Sequence, residues 1–118
     1  MRGLFNQINF YTRSGTVKKV IDGKMYNIDT AKCVAGWDNG LWDDDFESLS
    51  ESLYLKKTGE YFLYGTGGAK SKYSERVQGN NYAGGSGIIP FTVAEAKEWV
   101  EKYCDGDKYE EIFGEVEE

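Results

Sequence analysis

The 118-residue chain carries 20 acidic and 14 basic side chains and no histidine, for a net charge of −6, and is 40% hydrophobic and 15% aromatic. This is the length of one ordinary domain with enough apolar material for a single core, which excludes two independent domains and global disorder. The lack of histidine removes the commonest general base, the commonest neutral metal ligand and every Ser-His or Cys-His nucleophile pair, so triad hydrolysis is excluded as well.

Met1–Thr16 is expected as an N-terminal extension or edge strand, because Ile8, Phe10 and Thr12 share one face of Asn6–Thr12 and Ser14-Gly15 breaks the run. Residues 17–91 read as a β-meander. Its first hairpin spans Lys19–Ile28 around Asp22-Gly23, a pair that tolerates the positive φ of a primed turn. Asp29-Thr30-Ala31-Lys32 then reverses the chain into a strand at Cys33–Trp37. The acidic turn Asp43-Asp44-Asp45 with Glu47 lacks the alternating ligands and central Gly of a calcium loop, so it reads as solvated. Around it Trp37 and Phe46 are expected in the core, and Trp42 is left open between core and interface anchor. Leu53–Tyr64 gives the clearest strand pair, alternating on both sides of Thr58-Gly59.

Residues 65–87 are rich in Gly, Ser, Asn and Lys and are expected as a long loop, of the kind that is functional or mobile. Gly65-Thr66-Gly67-Gly68-Ala69-Lys70-Ser71-Lys72 invites comparison with a phosphate-binding loop, but Ala69 and Tyr64 occupy the positions where that motif needs Gly. Lys70, Lys72 and Arg76 beside Tyr73 and Tyr82 supply cations and stacking faces, the minimum for a single-stranded nucleic-acid contact.

After a brief strand at Ile88-Ile89, Thr92 and Glu95 form a capping box, and Val93, Ala96, Trp99, Val100 and Tyr103 define one buried stripe of a helix. Gly106 is expected to stop it, and Asp107 with Glu110 to open a second helix that returns Tyr109, Ile112 and Phe113 to the core. The resulting class is α+β: a small antiparallel β-sheet of four to six strands packed against C-terminal helices. No catalytic residues, cofactor or metal site is expected, and the chain is not read as an enzyme.

Charge is segregated. Residues 1–36 sum to +4, 37–51 to −6, 52–90 to +3 and the helical C-terminus, 91–118, to −7. Blocks of one sign steer partners, so Asp43, Asp44, Asp45, Glu110, Glu111 and Glu115 are the candidate partner-binding residues. No apolar run reaches the length of a membrane span and no secretory signal follows Met1, so a cytoplasmic location and no membrane partner are expected. Cys33 and Cys104, far apart and without metal-ligand spacing, are expected as reduced thiols.

Five strings carry a family resemblance: Lys56-Lys57-Thr58-Gly59-Glu60-Tyr61-Phe62-Leu63-Tyr64-Gly65, Ser71-Lys72-Tyr73, Ile88-Ile89-Pro90, Glu95-Ala96-Lys97-Glu98-Trp99, and Tyr109 through Glu118. Together with Ile21–Tyr26, they resemble small proteins of phages and mobile elements of Firmicutes, some of whose relatives look like type II anti-CRISPR proteins. The resemblance covers about two thirds of the chain and leaves out residues 1–16. It implies a stoichiometric inhibitor, in the bacterial host's cytoplasm, of a type II CRISPR RNA-guided nuclease, acting on guide-RNA loading or assembly first and on target DNA second, with guide RNA itself a further possible contact. The alternative expectation is a nucleic-acid-binding accessory protein acting through the basic Gly-rich loop.

Overall fold

The computed structural model describes residues 17–42 and 44–118. The strand expected at Asn6–Thr12, and Asp43, lie outside them. Eight strands precede two helices: β1 Lys18–Ile21, β2 Lys24–Asn27, β3 Lys32–Asp38, β4 Leu49–Leu55, β5 Tyr61–Gly67, β6 Glu75–Gln78, β7 Asn81–Ala83, β8 Gly85–Phe91, α1 Val93–Tyr103 and α2 Gly106–Phe113. The fold is α+β. Its centre is a four-stranded antiparallel sheet in the order β3-β4-β5-β8, with β1-β2 and β6-β7 as separate two-stranded units.

The local turn chemistry acts as the sequence predicts. Asp22 and Gly23 both take positive φ, 52° and 79°, and close the β1-β2 hairpin. Between β4 and β5, Lys56 N–H donates to the Glu60 carbonyl at 2.8 Å and Gly59 sits at φ 94°, so the left-handed residue of this tight loop is the one without a Cβ.

The meander does not continue from β2 to β3. Side chains alternate across β4 and β5, giving the sheet two apolar faces. Leu53 and Leu63 face the helices, whereas Tyr54, Phe62 and Tyr64 face the β1-β2 hairpin. Instead of extending the sheet, β1-β2 lies across its second face, with Tyr26 edge-on to Phe62 at 5.5 Å. Lys24 ties that hairpin to Glu60 at 2.6 Å, and Lys56 completes the cluster at 3.0 Å. The Lys24 bond, then those from Lys56 and Thr58, hold the Glu60 carboxyl down at about 2.

The helix side is covered by α1. Thr92 Oγ1 accepts from Glu95 N–H at 3.1 Å and Glu95 Oε1 accepts from Thr92 N–H at 2.8 Å, completing the predicted capping box. Ala96, Trp99 and Val100 are buried, but Val93, in the first turn, is 51% exposed and does not belong to the stripe. The start of α2 also differs from expectation. Its N-cap is Asp105, whose carboxylate accepts from Lys108 N–H at 2.9 Å, so Gly106 opens α2 rather than stopping α1. Tyr109, Ile112 and Phe113 do return to the core, Phe113 lying 5.6 Å from Tyr61.

The Gly-rich stretch is not one long loop. It lengthens β5, forms the β6-β7 hairpin and begins β8.

Candidate docking surfaces

One buried carboxylate organises the sheet, and sequence reading had passed over it. Glu51 is 1% exposed, on the helix-facing side of β4 two residues from Leu53. In register beside it stand Gly65 on β5 and Gly87 on β8. A Cβ at Gly65 would overlap the Tyr73 ring, so these glycines form a seat for that ring, and Tyr73 is only 6% exposed. From this seat the Tyr73 hydroxyl donates to Glu51 Oε2 at 2.7 Å, while Trp99 Nε1 donates from α1 to Oε1 at 2.9 Å. Lys72 Nζ adds an ion pair at 2.6 Å.

Burial pushes the Glu51 carboxyl up, but the bonds from Lys72, Trp99 and Tyr73 together outweigh it and hold the group below the ordinary carboxylate value. Burial first, then the bond to Glu51, pushes the Tyr73 phenol far up. The network is therefore a fixed anion with three donors. The signal available in the sequence was a carboxylate in phase with Leu53 and Leu55 on an otherwise apolar strand face.

This arrangement withdraws Tyr73 from the expected nucleic-acid contact and pairs Lys72. Tyr73 offers no stacking face, because it is buried, and the Lys72 charge is neutralised by Glu51. Arg76 turns its Nε–H onto the Gly79 carbonyl at 2.7 Å within the β6-β7 turn. Lys70, Lys72, Arg76 and Tyr82 are exposed.

The acidic candidates fall on two separate surfaces. The first is the β3-β4 loop, at the end of the sheet where Leu49, Gly67 and Gly85 align. Here Asp44 is exposed, and Asp45 Oδ1 accepts from Glu47 N–H at 2.8 Å. Phe46, expected in the core, is 64% exposed, and Trp42 is 85% exposed. The loop sits at the end of the sheet, against Gly67 and Gly68, rather than beneath the helices, so neither core cluster covers these rings. Trp37 does reach the core, packing 4.3 Å from Tyr103.

The second surface is the C-terminal helix pair. All ten carboxylates of residues 91–118 are exposed, Glu110, Glu111 and Glu115 among them. Lys108 pairs with Glu111 at 3.3 Å. Between α1, α2 and the chain end runs a groove of about 490 Å³ lined by Cys104, Tyr109 and Val116 together with Glu101, Asp107 and Glu110. Burial pushes the Cys104 thiol up, with Lys108 opposing and Asp105 adding to the shift.

Among the described residues, no group of three or more His, Cys, Asp or Glu side chains is placed to hold a metal ion, and no helix is long and apolar enough to cross a membrane. Cys33 and Cys104 are free. Comparison with protein-family models, curated proteins and solved structures finds no match to this chain.

Proposed function

We propose that this chain inhibits a type II CRISPR RNA-guided nuclease by binding it, with the acidic C-terminal helix pair occupying a basic channel that otherwise receives guide RNA. The family resemblance supplies the partner. The observation that carries the mechanism is that all ten carboxylates of residues 91–118 face solvent, six of them on α1 and α2, whose apolar sides pack on the sheet, with Asp105 capping α2 and Glu115, Glu117 and Glu118 following it. Such a surface presents negative charge in fixed positions, as a phosphate backbone does, without first having to be ordered. A nuclease of this class holds nucleic acid through backbone shape and charge in positive channels, so a compact anion competes there without reading sequence. Guide-RNA loading is the step most exposed to such competition; obstruction of target DNA is the second.

The accessory nucleic-acid reading is the second choice, because Tyr73 is buried and Lys72 is paired with Glu51. The test is a charge reversal, Glu110→Lys, Glu111→Lys and Glu115→Lys together, measured against the nuclease with and without preloaded guide RNA. These side chains are exposed and the ion pair lost, Lys108–Glu111, is a surface pair, so the variant should fold, as its melting curve will show. Binding to the guide-free nuclease should collapse, and wild-type binding should fall on preloading and with rising salt, since exposed charges are screened beyond about 8 Å at physiological ionic strength. Retained inhibition by the folded variant, insensitive to preloading, would sink the acidic-competitor mechanism.

A further inference from the structure

Three aromatic side chains among the described residues are exposed, Trp42, Phe46 and Tyr82, and they come from one end of the sheet. Every other described aromatic is buried or partly buried. Phe46 and Tyr82 line the same cleft of about 250 Å³, although 36 positions separate them in the chain. Leu41, 44% exposed, lines the neighbouring cleft, and Gly67 is common to both.

Backbone hydrogen bonds order the segments that carry these side chains. Asp45 N–H donates to the Trp42 carbonyl at 2.9 Å, closing the turn that carries the indole. Asn39 Oδ1 accepts from Leu41 N–H at 3.3 Å and from Leu49 N–H at 3.2 Å, while Asn39 Nδ2 donates to the Glu47 carbonyl at 2.8 Å. From the other side, Lys70 N–H donates to the Phe46 carbonyl at 2.7 Å. A Cβ at Gly68 would overlap the Asp45 and Phe46 carbonyls, so the missing side chain is what lets the Gly-rich connection seat against the loop. The clustering of exposed aromatics is thus built by two distant segments.

We propose that Leu41, Trp42, Phe46 and Tyr82 anchor a second contact with the protein partner, an apolar pocket on that partner whose rim carries Lys and Arg. The identity of the partner rests on the inhibitor reading above; the patch itself rests on exposure and charge. Large exposed apolar side chains in a fixed group are the hallmark of an interface centre, and Trp and Tyr are the residues that most often dominate binding energy there. The rim decides the occupant. Asp38, Asp44, Asp45 and Glu47 surround the patch and are exposed, with Lys70 the cation beside them. A second copy of the chain would set this acidic rim against itself, and a phosphate backbone would meet the same repulsion, whereas a basic-rimmed apolar pocket is complementary. The patch and α2 are supported at opposite ends of β5, since Phe113 packs on Tyr61 while the loop abuts Gly67 and Gly68. Two separated contacts of this kind raise avidity without enlarging either one.

The experiment titrates guide-free nuclease, and free guide RNA separately, with the full chain, its Trp42→Ala and Phe46→Ala variants, and the triple charge reversal. Both aromatics are exposed, so the alanine variants should melt as the wild type does. Each should nevertheless weaken nuclease binding by at least about tenfold, the scale of a hot-spot residue. That loss should persist at high salt, unlike the loss from charge reversal. Alanine variants binding within twofold of wild type, with charge reversal still abolishing the complex, would overturn the second contact and leave the inhibitor reading standing. Trp42-dependent binding to free RNA in place of the nuclease would assign the patch to nucleic acid and overturn it too. A wild-type chain with no affinity for the nuclease would remove the inhibitor reading and this contact with it.

Discussion

Tyr73→Phe removes one oxygen and leaves the ring on its glycine seat, so it isolates the hydrogen bond to Glu51. The bond is 2.7 Å long, buried, and made to an ionised carboxylate, for which the usual contribution is about 1.5–3 kcal/mol. Trp99 Nε1 and Lys72 Nζ still serve Glu51 in the variant, so no buried charge is stranded and the larger cost of a broken ion pair is avoided. Lys72 is half exposed and its share is correspondingly screened. A loss of about 2 kcal/mol is expected, read in urea as a lower midpoint at unchanged slope. The pH dependence gives the sign. Because the folded-state Glu51 carboxyl lies below its ordinary value of 4.5, its contribution is complete above that value and is lost as pH falls through the depressed one. The gap between wild type and variant should therefore be full near neutrality and narrow in acid. A gap under about 0.5 kcal/mol, or one that does not change with pH, would refute the assignment of the hydroxyl to Glu51.

Two further substitutions test the frame around that network. Thr92→Ala should cost on the order of 1 kcal/mol and lower amide-exchange protection in the first turn of α1, since it deletes the acceptor for Glu95 N–H. Gly65→Ala places a methyl in the Tyr73 ring and should destabilise by about 1–3 kcal/mol or more, with the β6-β7 hairpin becoming the most protease-sensitive part of the molecule. A wild-type melting curve and digestion pattern for that variant would mean Tyr73 does not rest there.

What the sequence determined by itself is the set of features that depend on neighbouring residues. The Asp22-Gly23 and Thr58-Gly59 turns, the alternation through Leu53–Tyr64, and the Thr92/Glu95 capping box all arise within a few residues, from φ preferences and short hydrogen bonds, and each forms as read. The start of α2 was misread by the same local reasoning, because Asp105 and Asp107 both offer a capping carboxylate and only the extended backbone at Asp105 selects between them. The exposure of the ten C-terminal carboxylates also followed from the charge run, since nothing in that segment could pair so many.

Only the tertiary structure decided which faces were covered. Glu51 is an internal anion because Tyr73 and Trp99, 22 and 48 positions away, converge on it. Glycines that looked like loop residues are strand positions emptied to seat a ring. Phe46 and Trp42 stand in solvent because the β3-β4 loop passes outside the reach of both covering layers, and β1-β2 leaves the sheet to roof its second face. A strand's alternation names two faces but not their neighbours; those are set by contacts whose sequence separation carries no local trace.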